Sequence, residues 1–450
     1  MNIVLAGGGK VGFALSAALV REGHDITLID SDQKALDRAS ATQDILCVKG
    51  SGSNVRSLIE AGASDADILI SVTANDETNM LCCLMAKQLG AKYAIARIRD
   101  PEYTDSLSLL QKEMGIDMVI NPERGAAYEI SRLFRYPYAM EVETFSHGRV
   151  EMVQFRVEEK DGLSNKPLYA LKSRLERVLV CAVKRDGAAI IPRGDFVIHA
   201  GDIIYVASDI RNMSAFFKRI GRNTQRVRSA MLIGGSHIAY YLAKIIAGMG
   251  VDLRILEINA EKCTRLSEEL PEASIICGDG TDQEVLLSED IAGMDALVAL
   301  TDRDEENLMV GLFGVKQGLE KVIVKVNRMG YLDLLQGMGI DSVVSPKNTT
   351  TNTILRQVRA RSRKRSGVME KIYRIVDGQA EALEFTAAND PRYTNIPLSQ
   401  LPIRQGTLIA MIVRGKNVII PFGSDHIEPG DTVLIVSRET SISGIEDILQ

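Results

Sequence analysis

The chain has 450 residues, 46% hydrophobic and 25% charged, and its formal net charge is −6 at pH 7. That length accommodates roughly three or four domains of ordinary size, and the composition is typical of a globular protein. The negative charge argues against a dedicated nucleic-acid-binding protein, and no apolar run approaches the roughly 20 residues that a membrane-spanning helix requires.

Short apolar runs alternate with helical patterns along residues 1–122. The helical patterns include Val11–Glu22, Ser53–Ala61 and Glu77–Leu89. Strands that alternate with helices of this length predict an α/β domain, with a doubly wound parallel sheet covered on both faces and the strand order of a Rossmann fold. The predicted strands are Ile3–Ala6, Asp25–Ile29, Ile45–Val48, Ile68–Val72, Ala94–Ile98 and Met118–Ile120.

A glycine-rich segment separates the first predicted strand from the first helix. In its G-x-G-x-x-G pattern, the first glycine permits a tight turn, the second lets a phosphate come close, and the third permits close packing of helix on strand. The helix N-terminus offers free N–H groups to the phosphates. The candidate phosphate-binding residues are Gly7, Gly8, Gly9, Lys10, Val11 and Gly12.

Asp30 ends the second predicted strand, where its carboxylate is placed to accept hydrogen bonds from a ribose diol. The alternative is that Asp30 only caps the next helix. Asp30 is followed by Ser31 and Asp32, with no arginine nearby. A ribose 2′-phosphate would meet negative charge there, which disfavours NADP. NAD, NADH, ATP, ADP and AMP all remain open.

Three further candidates follow the fourth and fifth strands. Thr73 and Ala74 come at the end where the sheet faces a bound nucleotide, and Arg97 is a candidate phosphate ligand. The alternative for Arg97 is a surface ion pair with Asp100 or Glu102.

A second, smaller unit follows the first sheet. We expect a connecting helix at Arg124–Phe134, then a β-rich α+β lobe over residues 140–221 with a hairpin at Arg185-Asp186-Gly187. The polar segment Arg222–Arg228 is a predicted linker.

The second half repeats the first. We predict another Rossmann domain over residues 229–347, a connecting helix over about 348–366 and another small lobe over 368–450. Ser236 replaces the middle glycine of the turn and Ala239 the last one, so the second site binds a phosphate through the serine hydroxyl or is altered. The candidate residues of the second site are Gly234, Gly235, Ser236, His237, Ile238 and Glu257.

A basic run without an acidic residue occupies the second connecting helix. It is either a solvated helix face or a surface that contacts anionic lipid headgroups or an acidic partner near a membrane. Its members are Arg356, Arg359, Arg361, Arg363, Lys364 and Arg365.

Neither a metal site nor a catalytic group is predicted. The six cysteines lack C-x-x-C spacing, the five histidines are scattered, and no general acid or base recurs in both halves. The N-terminus enters a strand directly, which leaves no room for a signal peptide, so we expect a cytoplasmic protein.

Several of these segments resemble the TrkA family, the cytosolic regulators of bacterial Trk potassium uptake. The small lobes are similar to the C-terminal part of RCK (regulator of potassium conductance) domains, particularly at Ile190-Ile191-Pro192 and Gly201-Asp202-Ile203. The resemblance in the first Rossmann unit is carried by Gly7–Gly12, Asp30, Gly50-Ser51-Gly52, Asp76-Glu77-Thr78-Asn79, Ala96-Arg97-Ile98-Arg99 and Pro122.

The resemblance implies a function and an assembly. RCK domains of this family form rings of eight, so a chain with two of them would form a homotetramer on the inner face of the plasma membrane. Binding of NAD(H), ATP or ADP would reshape the ring and gate an integral membrane potassium transporter of the TrkH or TrkG type. The alternatives are an NAD-dependent oxidoreductase with tandem Rossmann domains and a regulator of another cation channel or antiporter.

Overall fold

In the part of the chain that the structure describes, each sequence repeat forms one six-stranded parallel sheet and one five-stranded antiparallel sheet, and the first repeat adds a two-stranded antiparallel sheet. A computed structural model describes residues 1–222, 225–327, 338–340, 342–362, 368–439 and 442–450. The larger sheets of the two halves have corresponding strand orders, which is the structural counterpart of the internal repeat in the sequence.

The first parallel sheet has the strand order β3-β2-β1-β4-β5-β6, which confirms the predicted Rossmann arrangement. Its strands are β1 (Asn2–Ala6), β2 (Asp25–Asp30), β3 (Leu46–Lys49), β4 (Ile68–Ser71), β5 (Ala94–Arg97) and β6 (Met118–Ile120). The helices are α1 (Lys10–Arg21), α2 (Gln33–Ser40), α3 (Val55–Glu60), α4 (Asp76–Leu89), α5 (Leu107–Met114) and α6 (Pro122–Leu133). Because the central strands β1 and β4 are buried on both faces, their sequences are apolar runs rather than alternating patterns.

The first antiparallel sheet has the order β11-β10-β13-β8-β7. The predicted hairpin at Arg185-Asp186-Gly187 is confirmed: Arg185 pairs with Ala188, and Asp186 and Gly187 have φ of 51° and 78°, as a tight two-residue turn requires. The elements are β7 (Glu141–Phe145), β8 (Val150–Arg156), β9 (Lys166–Pro167), β10 (Leu179–Arg185), β11 (Ala188–Ile190), β12 (Val197–Ile198), β13 (Ile203–Asp209) and α7 (Ile210–Arg219).

The second half has equivalent sheets, with the orders β16-β15-β14-β17-β18-β19 and β20-β21-β24-β22-β23. Its strands are β14 (Ser229–Ile233), β15 (Asp252–Glu257), β16 (Ser274–Cys277), β17 (Ala296–Ala299), β18 (Lys321–Lys325), β19 (Ser342–Val344), β20 (Val368–Ile375), β21 (Ala380–Thr386), β22 (Thr407–Arg414), β23 (Asn417–Ile419) and β24 (Thr432–Ser437). Its helices are α8 (His237–Ile246), α9 (Ala260–Glu269), α10 (Gln283–Ser288), α11 (Asp304–Lys316) and α12 (Pro346–Ser362).

The helices that follow the two parallel sheets cross between the halves. Helix α6 packs against α8 of the second half, and α12 packs against α1 of the first. Ile354, Leu355 and Val358 of α12 are buried in one apolar cluster with Leu15 and Leu19 of α1. Each glycine-rich turn therefore lies next to a helix that belongs to the other half of the chain.

The two small sheets share one apolar core. Phe145 of the first sheet and Tyr373 of the second meet edge to face, with ring centroids 6.5 Å apart. Backbone groups are satisfied across this interface: the amide of Ser146 donates to Glu384 at 2.6 Å, and the amide of Val376 donates to the Tyr205 hydroxyl at 3.1 Å.

The basic run of α12 is not a uniformly solvated face. Arg359 donates to Glu22, the C-cap of α1, at 2.6 Å and to Glu381 of β21 at 3.0 Å, and its side chain is only 13% exposed. This corrects both interpretations of that residue, because internal carboxylates occupy its guanidinium. Arg361 is exposed and lies over the Tyr93 ring, whereas Arg363, Lys364 and Arg365 lie outside the described residues.

A cleft of about 920 Å³ lies between α1, α6, α12 and the first strands of the two small sheets. Its wall includes Glu129, Glu141, Arg356 and Lys371. Burial raises the pKa of Glu129 to about 8.

Candidate functional site

Each glycine of the first fingerprint occupies a different environment. Gly7 has a φ of +106°, and an added Cβ would lie 2.9 Å from the amide nitrogen of Thr73. A Cβ on Gly12 would lie 1.8 Å from the carbonyl oxygen of Gly7, whereas one on Gly9 would meet no atom within 4 Å. The turn is closed on the protein side and open above Gly9, as a phosphate site at the start of α1 requires.

Asp30 is connected to this turn by a hydrogen bond. One carboxylate oxygen accepts from the amide of Gly8 at 2.5 Å and the other from the amide of Asp32 at 2.8 Å. The interpretation of Asp30 as the cap of α2 is wrong, because the N-cap is Asp32, which accepts from the Lys34 amide at 3.0 Å. Asp30 therefore sits beside the Gly-rich turn, at the carboxyl end of β2.

The carboxyl ends of β4 and β5 are joined by Asn79 of α4. Its side-chain oxygen accepts from the amide and the hydroxyl of Thr73, at 2.8 and 2.7 Å, and its side-chain nitrogen donates to the carbonyl of Arg97 at 2.8 Å. Ala74 is exposed just beyond Thr73, and its carbonyl accepts from Arg99. Asn79 holds the two strand ends in place and leaves the backbone of residues 73–74 at the surface of the site.

Arg97 makes an ion pair, but not with the partners expected from the sequence. Its guanidinium lies 3.6 Å from Glu123 at the start of α6, and not beside Asp100 or Glu102, which were the partners in the alternative to a phosphate contact. It also donates to the Thr73 carbonyl at 3.4 Å, and burial lowers its pKa below the usual value. Arg97 is near the turn, and a nucleotide would compete with Glu123 for its guanidinium.

Cations surround the first turn. Lys10 begins α1 and is exposed, while Val11 packs against the apolar cluster beneath. Arg38 donates to the Gly8 carbonyl at 3.1 Å. Lys347 enters from α12: burial lowers its pKa, and the charges of Lys10 and Arg38 lower it further. Mutual repulsion between these groups would be relieved by an anion.

The second half forms a similar turn with different chemistry. Gly234 has a φ of +99°, and Glu257 accepts from the amide of Gly235 at 2.8 Å and from that of Asn259 at 2.9 Å. Ser236 is the N-cap of α8, and its hydroxyl is buried without a hydrogen-bond partner among the described residues. The half-buried His237 and the buried Ile238 are the first two residues of α8.

The two sites differ in the charge that the crossing helix supplies. Pro122 begins α6 and Pro346 begins α12, so Glu123 holds the position in the first repeat that Lys347 holds in the second. Lys347 lies close to Lys10 and Arg38 of the first turn, whereas Glu123 is paired with Arg97. The crossing helix α12 therefore adds a positive charge to the first turn, which favours a phosphate chain there.

Sequence reasoning missed Asn79, Arg38 and Lys347. A signal existed for Asn79, because the Asp-Glu-x-Asn segment recurs, and Asn307 makes the equivalent bonds to Thr301 and Lys325 in the second half. The position of Lys347 beside the first turn depends on the crossing of α12 between the halves, which no local pattern predicts.

Among the described ranges, no group of three or more histidine, cysteine or acidic residues is placed to hold a metal ion. In the same part of the chain, every helix is too short or too polar to cross a membrane.

The chain matches known proteins along its whole length. The TrkA-N domain family matches residues 3–122 and 230–346, and the TrkA-C domain family matches 152–221 and 382–450. A Trk system potassium uptake protein TrkA homolog of Archaeoglobus fulgidus is 33% identical, with 100% of each chain covered. The Trk system potassium uptake protein TrkA of Vibrio alginolyticus is also 33% identical, over 100% of this chain and 99% of that protein.

Solved structures agree with the fold. The GsuK RCK domain superposes with a TM-score of 0.63 at 16% identity, covering 97% of this chain and 92% of that one. The GsuK channel bound to NAD gives a TM-score of 0.63 at 16% identity, covering 97% of this chain and 76% of that one. From the tandem domain matches and the full-length relatives, the chain belongs to the TrkA family.

Proposed function

We propose that this chain is a nucleotide-sensing regulatory subunit of a membrane potassium transporter. The observation that carries the proposal is the pair of glycine-rich turns, each opening a helix and each hydrogen-bonded to an acid at the end of the neighbouring strand, Asp30 or Glu257. The names of the full-length relatives support potassium uptake as the process that is regulated.

The ligand that we propose is an adenine nucleotide: NAD(H), ATP or ADP. The Asp30 carboxylate beside the turn supports an unphosphorylated ribose, and the positive charges of Lys10, Arg38 and Lys347 support a phosphate chain. One solved structure of similar fold carries NAD, which supports the dinucleotide as a candidate. The second site, with Ser236 in place of the middle glycine, is proposed to bind its ligand more weakly or to prefer a different one.

The switch that we propose works through differential affinity. A ligand shifts a conformational equilibrium only by the difference between its affinities for the two states. Lys347 belongs to the second half and faces a turn of the first, so a phosphate chain between them would favour states in which α12 stays close to α1. The lobes spanning 1–122, 140–221, 229–347 and 368–450 are proposed to move relative to one another in this way and to gate a TrkH- or TrkG-type membrane partner.

We also propose that four copies form a ring at the inner face of the membrane. Apolar side chains are exposed on helices of both parallel sheets: Leu81 on α4, Leu109 on α5, and Met309 on α11, of which Leu109 is 60% and Met309 66% exposed. Sedimentation should give a tetramer for the native chain and smaller species for Leu109→Asp. A monomeric native protein would exclude the ring.

The decisive test is titration calorimetry with ATP, ADP, NAD and NADH on the full chain. Asp30→Asn retains an oxygen acceptor for the Gly8 amide but removes the charge that binds the ribose, so affinity at the first site should fall about tenfold. Glu257→Gln makes the same change at the second site. Asp32→Asn, which preserves the α2 cap, is the matched control and should leave binding unchanged.

Two results would contradict the proposal. One is the same nucleotide affinity in the native chain, Asp30→Asn and Glu257→Gln. The other is steady oxidation or reduction of a nicotinamide cofactor with a metabolite, since that would identify an oxidoreductase.

A further inference from the structure

Two cysteines lie together at the edge of the second site. Cys277 ends β16, and the register of β15 and β16 places it directly opposite Glu257. Cys263 belongs to α9, and its sulfur lies 3.2 Å from the backbone oxygen of Glu257. Burial, and then a hydrogen bond between the two thiols, raise the pKa of Cys263 to about 11. Both sulfurs are thus within reach of each other and of the segment that carries the ribose acid.

The two thiols differ in access to solvent. Cys277 is exposed, whereas Cys263 is buried. An exposed thiol meets a small oxidant first, and a buried thiol in contact with it is placed to resolve the oxidised product. The pair belongs to the second half alone, because Lys49 occupies the equivalent position opposite Asp30 in the first sheet.

The remaining cysteines lack this arrangement. Cys82, Cys83 and Cys181 are buried, and burial raises the pKa of each of these thiols. Cys47 is exposed on β3, but its sulfur faces the carbonyl oxygen of Leu36 at 3.8 Å. Cys47 is therefore an internal control for exposure without a partner thiol.

We propose that Cys263 and Cys277 are an oxidisable thiol pair, which a peroxide converts to an intramolecular disulfide beside the second glycine-rich turn. The Cys277 sulfur attacks one oxygen of hydrogen peroxide, which breaks the O–O bond and gives a sulfenic acid and one water. The Cys263 sulfur then attacks the sulfenic sulfur, forms the S–S bond and releases a second water. Two thiols lose two protons and two electrons, and peroxide is reduced to two waters.

The disulfide would change the support of Glu257. It removes the Cys263 S–H that donates to the Glu257 carbonyl and ties α9 to the end of β16. Glu257 accepts hydrogen bonds from the amides of Gly235 and Asn259. A shift of Glu257 would therefore also shift the glycine-rich turn. This consequence rests on the proposed nucleotide-binding function of the second site, whereas formation of the disulfide does not.

Peptide mapping of the full chain tests the disulfide. Reduced protein is treated with hydrogen peroxide, alkylated and digested, and we expect a cross-linked peptide pair that carries Cys263 and Cys277. Cys277→Ser should abolish the link, and Cys263→Ser should leave a sulfenic acid on Cys277 that dimedone traps. Separate alkylation of Cys263 and Cys277 at a peroxide dose that oxidises Cys47, or a link from Cys277 to another chain, would overturn the proposal.

Calorimetry on the Asp30→Asn variant, whose first site is weakened, tests the coupling. Peroxide treatment should cause a loss of ATP or NAD affinity at the second site, reversed by dithiothreitol and absent when Cys277→Ser is added. Unchanged affinity of the cross-linked protein would overturn the coupling. Absence of binding at the second site in the reduced variant would instead count against the proposed function of that site, and the peptide map would then decide the thiol pair alone.

Discussion

Gly9 and Gly12 lie three residues apart in the same turn, yet a methyl group added at each meets a different environment. The Gly12→Ala substitution would place a Cβ 1.8 Å from the Gly7 carbonyl oxygen, so either backbone segment must move. We expect Gly12→Ala to destabilise the chain by about 2 kcal/mol, as overpacking does. Thermal unfolding of the ligand-free protein measures this.

Gly9→Ala is the matched control for that prediction. Its Cβ would enter open space, and the backbone φ of −64° is ordinary for alanine. Stability should therefore change by less than about 0.5 kcal/mol, while nucleotide affinity falls because the methyl group occupies the phosphate's approach. Equal destabilisation by the two substitutions would show that the turn is not built as described.

The residues that sequence reasoning found and missed differ in what determines their position. Gly7, Gly12 and Asp30 act through neighbours in one strand-turn-helix unit, so spacing along the chain was sufficient to predict them. The ion-pair partner of Arg97, Glu123, belongs to α6 beyond the next strand, so the alternative with Asp100 or Glu102 did not include it. The position of Lys347 could not be predicted from the sequence, since Lys347 belongs to the other half of the molecule and approaches the turn from there.

At the scale of elements, Arg359 joins three parts of the fold. It connects α12 to Glu22 at the end of α1 and to Glu381 of β21, whose side chain is fully buried. Arg359→Met would leave these carboxylates with Arg374 alone, so we expect a loss of about 3 kcal/mol in unfolding free energy by chemical denaturation.

The neighbouring arginine offers a control on the same helix. Arg361 is exposed, donates to Gln357 at 2.9 Å and lies over Tyr93. Arg361→Met should cost less than about 1 kcal/mol. A similar loss for both variants would mean that the Arg359 network contributes little beyond a surface contact.

Elements were predictable where they depend on local patterns. The six strands of the first sheet and its helices followed from apolar runs and helical spacing, and the hairpin from Asp186-Gly187. The basic composition of α12 indicated a surface helix, yet an acid at the end of α1 and another on β21 face Arg359. Such pairings join residues more than twenty positions apart, which neither composition nor periodicity encodes.

At the scale of the whole molecule, the cleft between the lobes makes stability depend on pH. Glu129 lies in its wall and accepts from the Thr349 hydroxyl at 2.8 Å. Burial raises its pKa to about 8, above the ordinary value of about 4.3. The folded chain therefore keeps a proton that the unfolded chain releases, so this contribution is present below about pH 4.3 and is lost as the pH rises toward 8.

Glu129→Gln imitates the protonated acid. Its unfolding temperature should match that of the native chain below about pH 4 and exceed it near pH 8, because the amide has no proton to lose. Glu60→Gln, at the exposed end of α3, should track the native chain at every pH. A constant difference between Glu129→Gln and the native protein across this range would exclude titration of Glu129 as the cause.

The exchange of α6 and α12 has a consequence for half-length fragments. Residues 1–222 produced alone would expose the face of α6 that α8 covers and the face of α1 that α12 covers. Because α6 and α12 are equivalent in the repeat, two copies of the fragment could pair with each other. In such a dimer, α6 of each copy would pack against α1 of the other copy. In the intact polypeptide, the covalent link replaces this pairing of identical fragments by a pairing of two different halves. Each chain therefore carries the two different glycine-rich turns in a fixed one-to-one ratio.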